Sequence, residues 1–150
     1  MGIGCLFSWD GAVVDSFNKH QEAWSLLAKE IGKPLPDGFF KKAFGKRNLW
    51  VIPNLLGWTE DRDEIFNLGN RKETIYREII RNNLPALIPG LKAFIEDLIE
   101  HNIPCVVATS LMGQSYDCEA GLNNFGGYFS AIIAAERYQG EKPDPEIFLK

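Results

Sequence analysis

Three short segments of the chain are apolar and lack the polar alternation of a half-buried strand. They are Ile3–Trp9, Pro104–Thr109 and Ser130–Ala134. Continuous apolar runs of this length are typical of strands that are covered on both faces. The pattern therefore predicts three buried strands of a parallel sheet.

Apolar residues at helical spacing follow the first of these segments. Phe17, Trp24 and Leu27 mark one face of a predicted helix, with Ser16 as its N-cap and Gly32 as its stop signal. The next two dozen residues, up to Gly57, predict short helices that are broken by turns.

A long helix is predicted from Thr59 to Asn82. Its apolar face consists of Ile65, Leu68, Ile75, Tyr76, Ile79 and Ile80. Its opposite face is charged and consists of Arg71, Lys72, Glu73, Arg77 and Glu78. This two-sided pattern is typical of an amphipathic helix that packs on one side only.

Further helices alternate with the second and third strands. One opens at Pro89-Gly90, a second covers Gln114–Leu122, and a third begins at Glu146 after a loop. Strands that alternate with helices indicate an α/β fold with a parallel sheet. The all-helical stretch after the first strand indicates a helical insertion.

Composition narrows the class of protein. The 150 residues are 45% hydrophobic and carry a net charge of −4, with no basic block of the kind that binds nucleic acid. No apolar run approaches the roughly 20 residues that span a bilayer, and the amino terminus does not resemble a signal peptide. Three widely spaced cysteines match no zinc spacing and suit a reducing compartment. We therefore expect a soluble, cytoplasmic protein with no nucleic-acid or membrane partner.

Polar residues follow each predicted strand, where ligands of parallel sheets bind. Ser8 and Asp10 end the first strand, Thr109 and Ser110 end the second, and Lys142 lies in the loop after the third. Taken one at a time, each of these residues has an ordinary structural explanation. Asp-Gly forms turns, Thr-Ser caps helices, and loop lysines are usually solvated. Together, a hydroxyl, an acid and an ammonium group at strand ends form a set suited to a phosphate group.

The order and spacing of these residues resemble the haloacid dehalogenase superfamily. Phe7–Gly11 with Val14–Ser16 is similar to its first motif, F-D-x-D-G-x-x-x-D-S, and Val107–Ser110 is similar to its second. Lys142–Phe148 is similar to its third motif, K-P-x-P-x-x-F. The stretches 87–91 (LIPGL) and 127–132 (GYFSAI) also look like this family. The branch indicated is that of the β-phosphoglucomutase-like phosphatases.

The resemblance implies a fold and a division of the chain. The fold is a Rossmann-like parallel sheet core with an α-helical cap inserted after the first strand. The core is expected over residues 1–14 and 85–150, and the cap over residues 15–84.

The resemblance also implies roles for four residues and a metal. Position 8 is the nucleophile that takes the phosphoryl group, and Asp10 is the general acid/base. Thr109 holds a phosphate oxygen, and Lys142 neutralises charge between nucleophile and phosphoryl group. Mg²⁺ is implied at position 8 and at the Asp10 carbonyl.

Further residues lie where relatives contact the substrate, and cap closure is expected to exclude water. They are Gly11, His20, Trp24, Gly45, Lys46, Arg47 and Ser110. Structural alternatives stay open for several of them. His20 is equally compatible with packing between cap and core, Trp24 with a place in the core, and Lys46-Arg47 with a solvated turn.

Two departures from the family pattern bear on activity. Ser8 stands where the pattern has aspartate, and a neutral hydroxyl is a poor Mg²⁺ ligand with no histidine base beside it in sequence. The fourth motif, an acidic pair on a strand beside the first strand, is not found. We therefore expect weak or no Mg²⁺ binding and little turnover. We also expect the exposed edge of the first strand to be covered by a further segment or by self-association.

Three interpretations remain at this point. The first is a phosphatase, or a sibling phosphomutase, that acts on a small phosphorylated metabolite and is impaired in this chain. The second is a non-catalytic phosphate-binding or regulatory protein on the same scaffold, since a fold does not guarantee an activity. The third is an α/β fragment without a function of its own.

Overall fold

Three parallel strands form the centre of the computed structural model, which describes residues 2–150. β1 is Cys5–Phe7, β2 is Cys105–Ala108 and β3 is Ala131–Ile133, in the spatial order β1-β2-β3. Cys5 is in register with Cys105. The α/β fold class with a parallel sheet is confirmed.

Helices fill the chain between and after the strands. Before β2 come α1 (Phe17–Ile31), α2 (Phe39–Ala43), α3 (Asn48–Val51), α4 (Arg62–Asn82) and α5 (Leu91–Glu100), and α6 (Gly113–Asn123) follows β2. A π-helical turn at Ile52–Leu56 continues α3, and 3₁₀ turns lie at Gly126–Tyr128, Ala135–Arg137 and Pro145–Phe148. We call α1–α4 the cap and the rest the core. The helix predicted from Glu146 is instead the last 3₁₀ turn.

The ends of α1 and α4 show how local sequence sets helix limits. Gly32 ends α1 in the left-handed conformation with φ 65°, as predicted from its lack of a Cβ. Asp61 caps α4 by accepting a hydrogen bond from the Glu64 backbone N–H at 2.8 Å. Ser16 occupies the N-cap position of α1, but its side chain makes no capping bond.

The prediction that all strands are buried on both faces was wrong for the outer two. β2 is mostly buried, whereas Leu6 of β1 is 53% exposed and Ile132 of β3 is 36% exposed. The reason is position, because β2 has a strand on each side while β1 and β3 are edge strands among the described residues.

The cap packs on the core through α4, which contacts α1 on one side and α6 on the other. Trp9 and Tyr76 are fully buried at this junction. Lys72 and Glu73, which the sequence places on the charged face of α4, are each only 2% exposed. Among residues 2–150, no helix is long and apolar enough to cross a bilayer.

Candidate functional site

The carboxyl ends of the strands bring Ser8 and Lys142 together. Lys142 Nζ donates to Ser8 Oγ at 3.0 Å and to the Ala108 carbonyl at 2.9 Å. Both acceptors are uncharged, and the lysine is partly buried. Burial lowers the pKa of Lys142, and Asp10 offsets only part of that effect.

Thr109 and Ser110 lie beside this lysine at the end of β2. The Thr109 hydroxyl is buried and accepts a hydrogen bond from the Leu111 backbone N–H at 3.0 Å, so its proton is left to donate. The Ser110 hydroxyl accepts a hydrogen bond from Tyr138 at 3.0 Å. It also lines a cavity, called the site cavity below, that is bordered by Asp10, His20, Trp24, Gly45 and Lys46. Of these two hydroxyls, that of Ser110 lines the cavity, whereas Thr109 directly follows Ala108, whose carbonyl accepts the hydrogen bond from Lys142.

Asp10 is held by two side chains from α1 and its N-terminus. Its Oδ1 accepts hydrogen bonds from Ser16 Oγ at 2.7 Å and from His20 Nε2 at 2.8 Å. Burial would raise the pKa of Asp10, but His20, Ser16 and Lys72 together outweigh burial and hold the pKa below its ordinary value. The Asp10 carboxylate is therefore ionised at neutral pH.

A chain of buried polar groups continues from Asp10 into the cap. Lys72 Nζ lies 2.7 Å from His20 Nδ1 and 2.9 Å from Glu73 Oε1. Because an ammonium group can only donate, His20 Nδ1 accepts this hydrogen bond and Nε2 carries the proton given to Asp10. Asn48 Nδ2 adds a hydrogen bond to Glu73 Oε1 at 2.7 Å.

A second buried acid, Glu119 of α6, lies behind this chain. It accepts hydrogen bonds from Trp9 Nε1 at 2.8 Å and from the Tyr76 hydroxyl at 3.0 Å. Burial, together with the negative charge of Asp10, raises the pKa of Glu119 to about 8. The Tyr76 ring stacks on His20 at a centroid distance of 4.0 Å, so Glu119 ties the core to the cap next to the site.

Lys46 and Arg47 connect the cap with the loop that carries Lys142. Lys46 Nζ donates to the Lys142 carbonyl, and the Arg47 guanidinium pairs with Glu141. Arg47 also donates to the Tyr138 carbonyl at 2.7 Å. Neither side chain is a solvated turn residue, and both join the cap to the core.

The remaining residues predicted for the site line it or shape it. Trp24 borders the site cavity and also packs edge-on against Phe39, with ring centroids 5.8 Å apart. Gly45 borders the same cavity with φ 78°. Gly11 has φ 75°, and a Cβ there would lie 3.1 Å from the Phe44 ring, so glycine permits both the turn and the close approach of the cap.

The donor set at the strand ends does not fit the Mg²⁺ implied by the resemblance. Asp10 supplies the carboxylate that the resemblance places there, and its Oδ1 is already bonded to two side chains. Ser8 offers a neutral hydroxyl that accepts a hydrogen bond from an ammonium group. Within residues 2–150, no group of three or more His, Cys, Asp or Glu side chains is placed to hold a metal ion. Mg²⁺ prefers several oxygen ligands, including carboxylates, which this arrangement lacks.

Sequence reasoning missed the polar residues of α4 and α6. Lys72 and Glu73 were assigned to a charged helix face, and Ser16 to a helix cap. Glu119 carried no motif. The one available signal was the spacing of Lys72 and Glu73 next to Tyr76, which turns them toward the same side as the apolar stripe.

Comparison with known proteins agrees with this architecture. The family model described as haloacid dehalogenase-like hydrolase matches residues 5–150. A crystal structure of β-phosphoglucomutase from Clostridium difficile superposes with a TM-score of 0.79 at 24% identity, covering 99% of this chain and 69% of that one.

Two curated relatives are named as phosphatases. The chloroplastic 5-amino-6-(5-phospho-D-ribitylamino)uracil phosphatase of Arabidopsis thaliana is 28% identical over 149 residues, which is 98% of this chain and 40% of that protein. The phosphorylated carbohydrates phosphatase of Thermotoga maritima is 24% identical over 148 residues, which is 96% of this chain and 66% of that protein. The chain thus spans less than two thirds of each relative. The family model matches nearly the whole length of the chain, and together with the parallel sheet and the helical insertion after β1 it shows that the chain belongs to the haloacid dehalogenase-like hydrolase family.

Proposed function

We propose that this chain binds the phosphoryl group of a small phosphorylated metabolite at the strand ends and belongs to a phosphatase whose hydrolysis is impaired by Ser8. The proposal takes residues 1–14 and 85–150 as the core and residues 15–84 as the cap. In this proposal Ser8, Thr109 and Lys142 contact the phosphoryl group, and the leaving group lies between the strand ends and the cap.

The observation that carries this proposal is the environment of the Lys142 ammonium group. Its ammonium group is partly buried and donates only to the neutral oxygens of Ser8 and Ala108. Burial disfavours the charge of Lys142 and Asp10 offsets only part of that effect, so a phosphate anion next to the ammonium group would supply further compensating charge. Binding of an anion would raise the lowered pKa of Lys142, so the two effects favour each other.

Asp10 is placed to exchange a proton with the leaving oxygen, as the family resemblance implies. Its carboxylate lies in the site cavity, where Ser16 and His20 fix its orientation. Its lowered pKa keeps it ionised in the free chain, and an approaching phosphate dianion would raise that pKa by like-charge repulsion. This change favours the acid form when substrate is bound.

Ser8 limits the chemistry at the other side of the phosphoryl group. A hydroxyl becomes a strong nucleophile only when a base takes its proton, and the Asp10 carboxylate is hydrogen-bonded to Ser16 and His20 rather than to the Ser8 hydroxyl. The same observation favours a second candidate, a non-catalytic protein that binds phosphorylated ligands. Both candidates share the phosphate site and differ in turnover.

The test compares the chain with its Ser8→Asp variant. Phosphate release is measured from sugar, nucleotide and flavin-precursor phosphates, with Mg²⁺ and with chelator, and binding of inorganic phosphate is measured by calorimetry. We expect the parent to bind phosphate without turnover and Ser8→Asp to gain Mg²⁺-dependent release. Ser25→Asp, which adds the same charge on the exposed side of α1, is the matched control and should gain nothing.

Each outcome decides between the candidates. Turnover by the parent would show that Ser8 is not the limiting residue. Phosphate binding without activity in either protein would favour the non-catalytic candidate. Absence of phosphate binding in both would overturn the proposal.

A further inference from the structure

A second cavity opens beside the site, between the cap and the core. It shares Asn48 and Ser110 with the site cavity. Ser110 directly follows Thr109, so this cavity opens next to a residue to which the proposed function assigns the phosphoryl group. We call this second cavity the slot.

The walls of the slot are mostly apolar. Leu49 of α3 and Phe66 of α4 line the cap side, and Met112 and Ala135 line the core side. Leu49 is 47% exposed and Phe66 is 54% exposed, so neither finds full cover within residues 2–150. Apolar side chains from both halves of the molecule therefore face one open space next to the site.

The floor of the slot is formed where α3 approaches α4. Gly69 lies in the interior of α4, where glycine is unfavourable for a helix. A Cβ at this position would lie 3.4 Å from Asn48 Cβ and 3.7 Å from Leu49 Cδ2. These are ordinary van der Waals distances, and glycine leaves this part of the slot without a side chain.

The charges of the slot disfavour a second phosphate group. Among its described lining residues, Arg47 is the one cation, and its guanidinium is already bonded to Glu141 and to the Tyr138 carbonyl. Glu136 adds a carboxylate that accepts hydrogen bonds from the Gly113 backbone N–H. An anionic leaving group would therefore meet a negative charge and no free cation.

We propose that the slot binds a flat aromatic or heterocyclic ring in the leaving group, so that the substrate is a phosphomonoester of a ring-bearing alcohol and not a sugar bisphosphate. The inference rests on the proposed function, because the phosphate site anchors the ligand. A phenylalanine ring and a methionine thioether on opposite walls favour a planar ring over a flexible chain, since both contact aromatic rings well.

The test measures binding to the chain by calorimetry, so it does not depend on turnover. The ligands are inorganic phosphate, phenyl phosphate, 2-phenylethyl phosphate and 4-phenylbutyl phosphate, with ethyl and butyl phosphate as ring-free partners. We expect at least one ring-bearing ligand to bind about tenfold more tightly than its ring-free partner, because the ring buries apolar area.

Phe66→Ala should weaken binding of the ring-bearing ligand by about threefold to tenfold and leave the affinity for inorganic phosphate unchanged. Phe94→Ala is the matched control, because Phe94 is similarly exposed (51%) and does not line the slot. It should change neither affinity.

The outcomes separate the two proposals. If inorganic phosphate binds but ring-bearing and ring-free ligands are equal, or if Phe66→Ala changes nothing, the slot proposal is wrong and the proposed function stands. Tighter binding of glucose 1,6-bisphosphate than of glucose 6-phosphate would also overturn the slot proposal. If inorganic phosphate does not bind, both proposals fail.

Discussion

Two lysines of the site, one in the cap and one at the strand ends, have opposite electrostatic surroundings. Lys72 is 2% exposed and lies 2.9 Å from the Glu73 carboxylate and 2.7 Å from His20. Lys142 donates only to a hydroxyl and a carbonyl, and burial lowers its pKa. Both are lysines near Asp10, yet only one of them has a carboxylate partner at hydrogen-bond distance.

The difference indicates that the two lysines have different roles. The charge of Lys72 is already compensated, so it stabilises the folded chain and fixes the orientation of His20 and, through His20, of Asp10. The charge of Lys142 is compensated only in part, by Asp10, and is available to an anion. The cap half of the site is therefore a structural network, and the strand-end half is the half to which we assign the phosphate group.

The largest effect is expected when the cap network is broken. Lys72→Met leaves the buried Glu73 carboxylate without its cation, and breaking a buried pair in this way costs about 3–5 kcal/mol of the free energy of unfolding. Urea unfolding of the two proteins measures the difference.

Arg71→Met is the matched control for this change. Arg71 is the neighbouring residue on α4 and pairs with Glu30, but both side chains are more than 40% exposed. Exposed pairs contribute about 0–1 kcal/mol, so this variant should stay close to the parent. Equal losses in the two variants would contradict the assignment of Lys72 to a buried structural network.

A smaller, pH-dependent effect is expected from Glu119, a buried acid whose partners Trp9 and Tyr76 are uncharged. Its pKa is about 8 in the folded chain, against an ordinary value of 4.5. Glu119 therefore favours folding below pH 4.5, and this contribution is lost as the pH rises to 8.

Glu119→Gln should remove this dependence, because a glutamine oxygen still accepts both hydrogen bonds but does not ionise. The difference in unfolding free energy between parent and variant should change by about 2–4 kcal/mol from pH 5 to pH 8, in favour of the variant at the higher pH. A constant difference across that range would show that Glu119 does not titrate there.

The smallest effect on stability is expected at the strand ends. Lys142→Met removes a cation whose lowered pKa shows that burial disfavours its charge, so the free energy of unfolding should change by less than about 1 kcal/mol. Inorganic phosphate should bind about tenfold more weakly, as expected for the loss of one hydrogen bond to a charged group. A large loss of stability with unchanged phosphate affinity would reverse the comparison between Lys142 and Lys72.

The sequence predicted the order of strands and helices well, because apolar periodicity reports directly on which residues a helix or strand must bury. The positions of β2 and α5 and the end of α1 at Gly32 followed from local pattern alone. Burial of the strands was predicted less well. Exposure of Leu6 depends on whether another strand or helix covers β1, and no feature within Ile3–Trp9 encodes that neighbour.

The residues of the site also fall into those that the sequence predicted and those that it did not. Ser8, Asp10, Thr109 and Lys142 could be proposed from motif order, because parallel strands deliver their carboxyl ends to one edge of the sheet. By contrast, Ser16 met the rule for a helix cap but donates its hydroxyl to Asp10. A serine hydroxyl can accept from a backbone N–H as a cap or donate to a carboxylate, and which partner it meets depends on three-dimensional position, so the sequence could not choose between them.

By itself, the sequence determined that this is an α/β protein with a helical insertion and that a hydroxyl, an acid and a lysine end its strands. These properties depend on the spacing of residue types along one strand or helix. Only the tertiary structure decided that Lys72 and Glu73 are buried, that Arg47 joins the cap to the Glu141 loop, and that Glu119 lies between Trp9 and Tyr76. Each of these depends on residues that are distant in sequence, because desolvation and charge pairing are set by the groups that surround a side chain after folding.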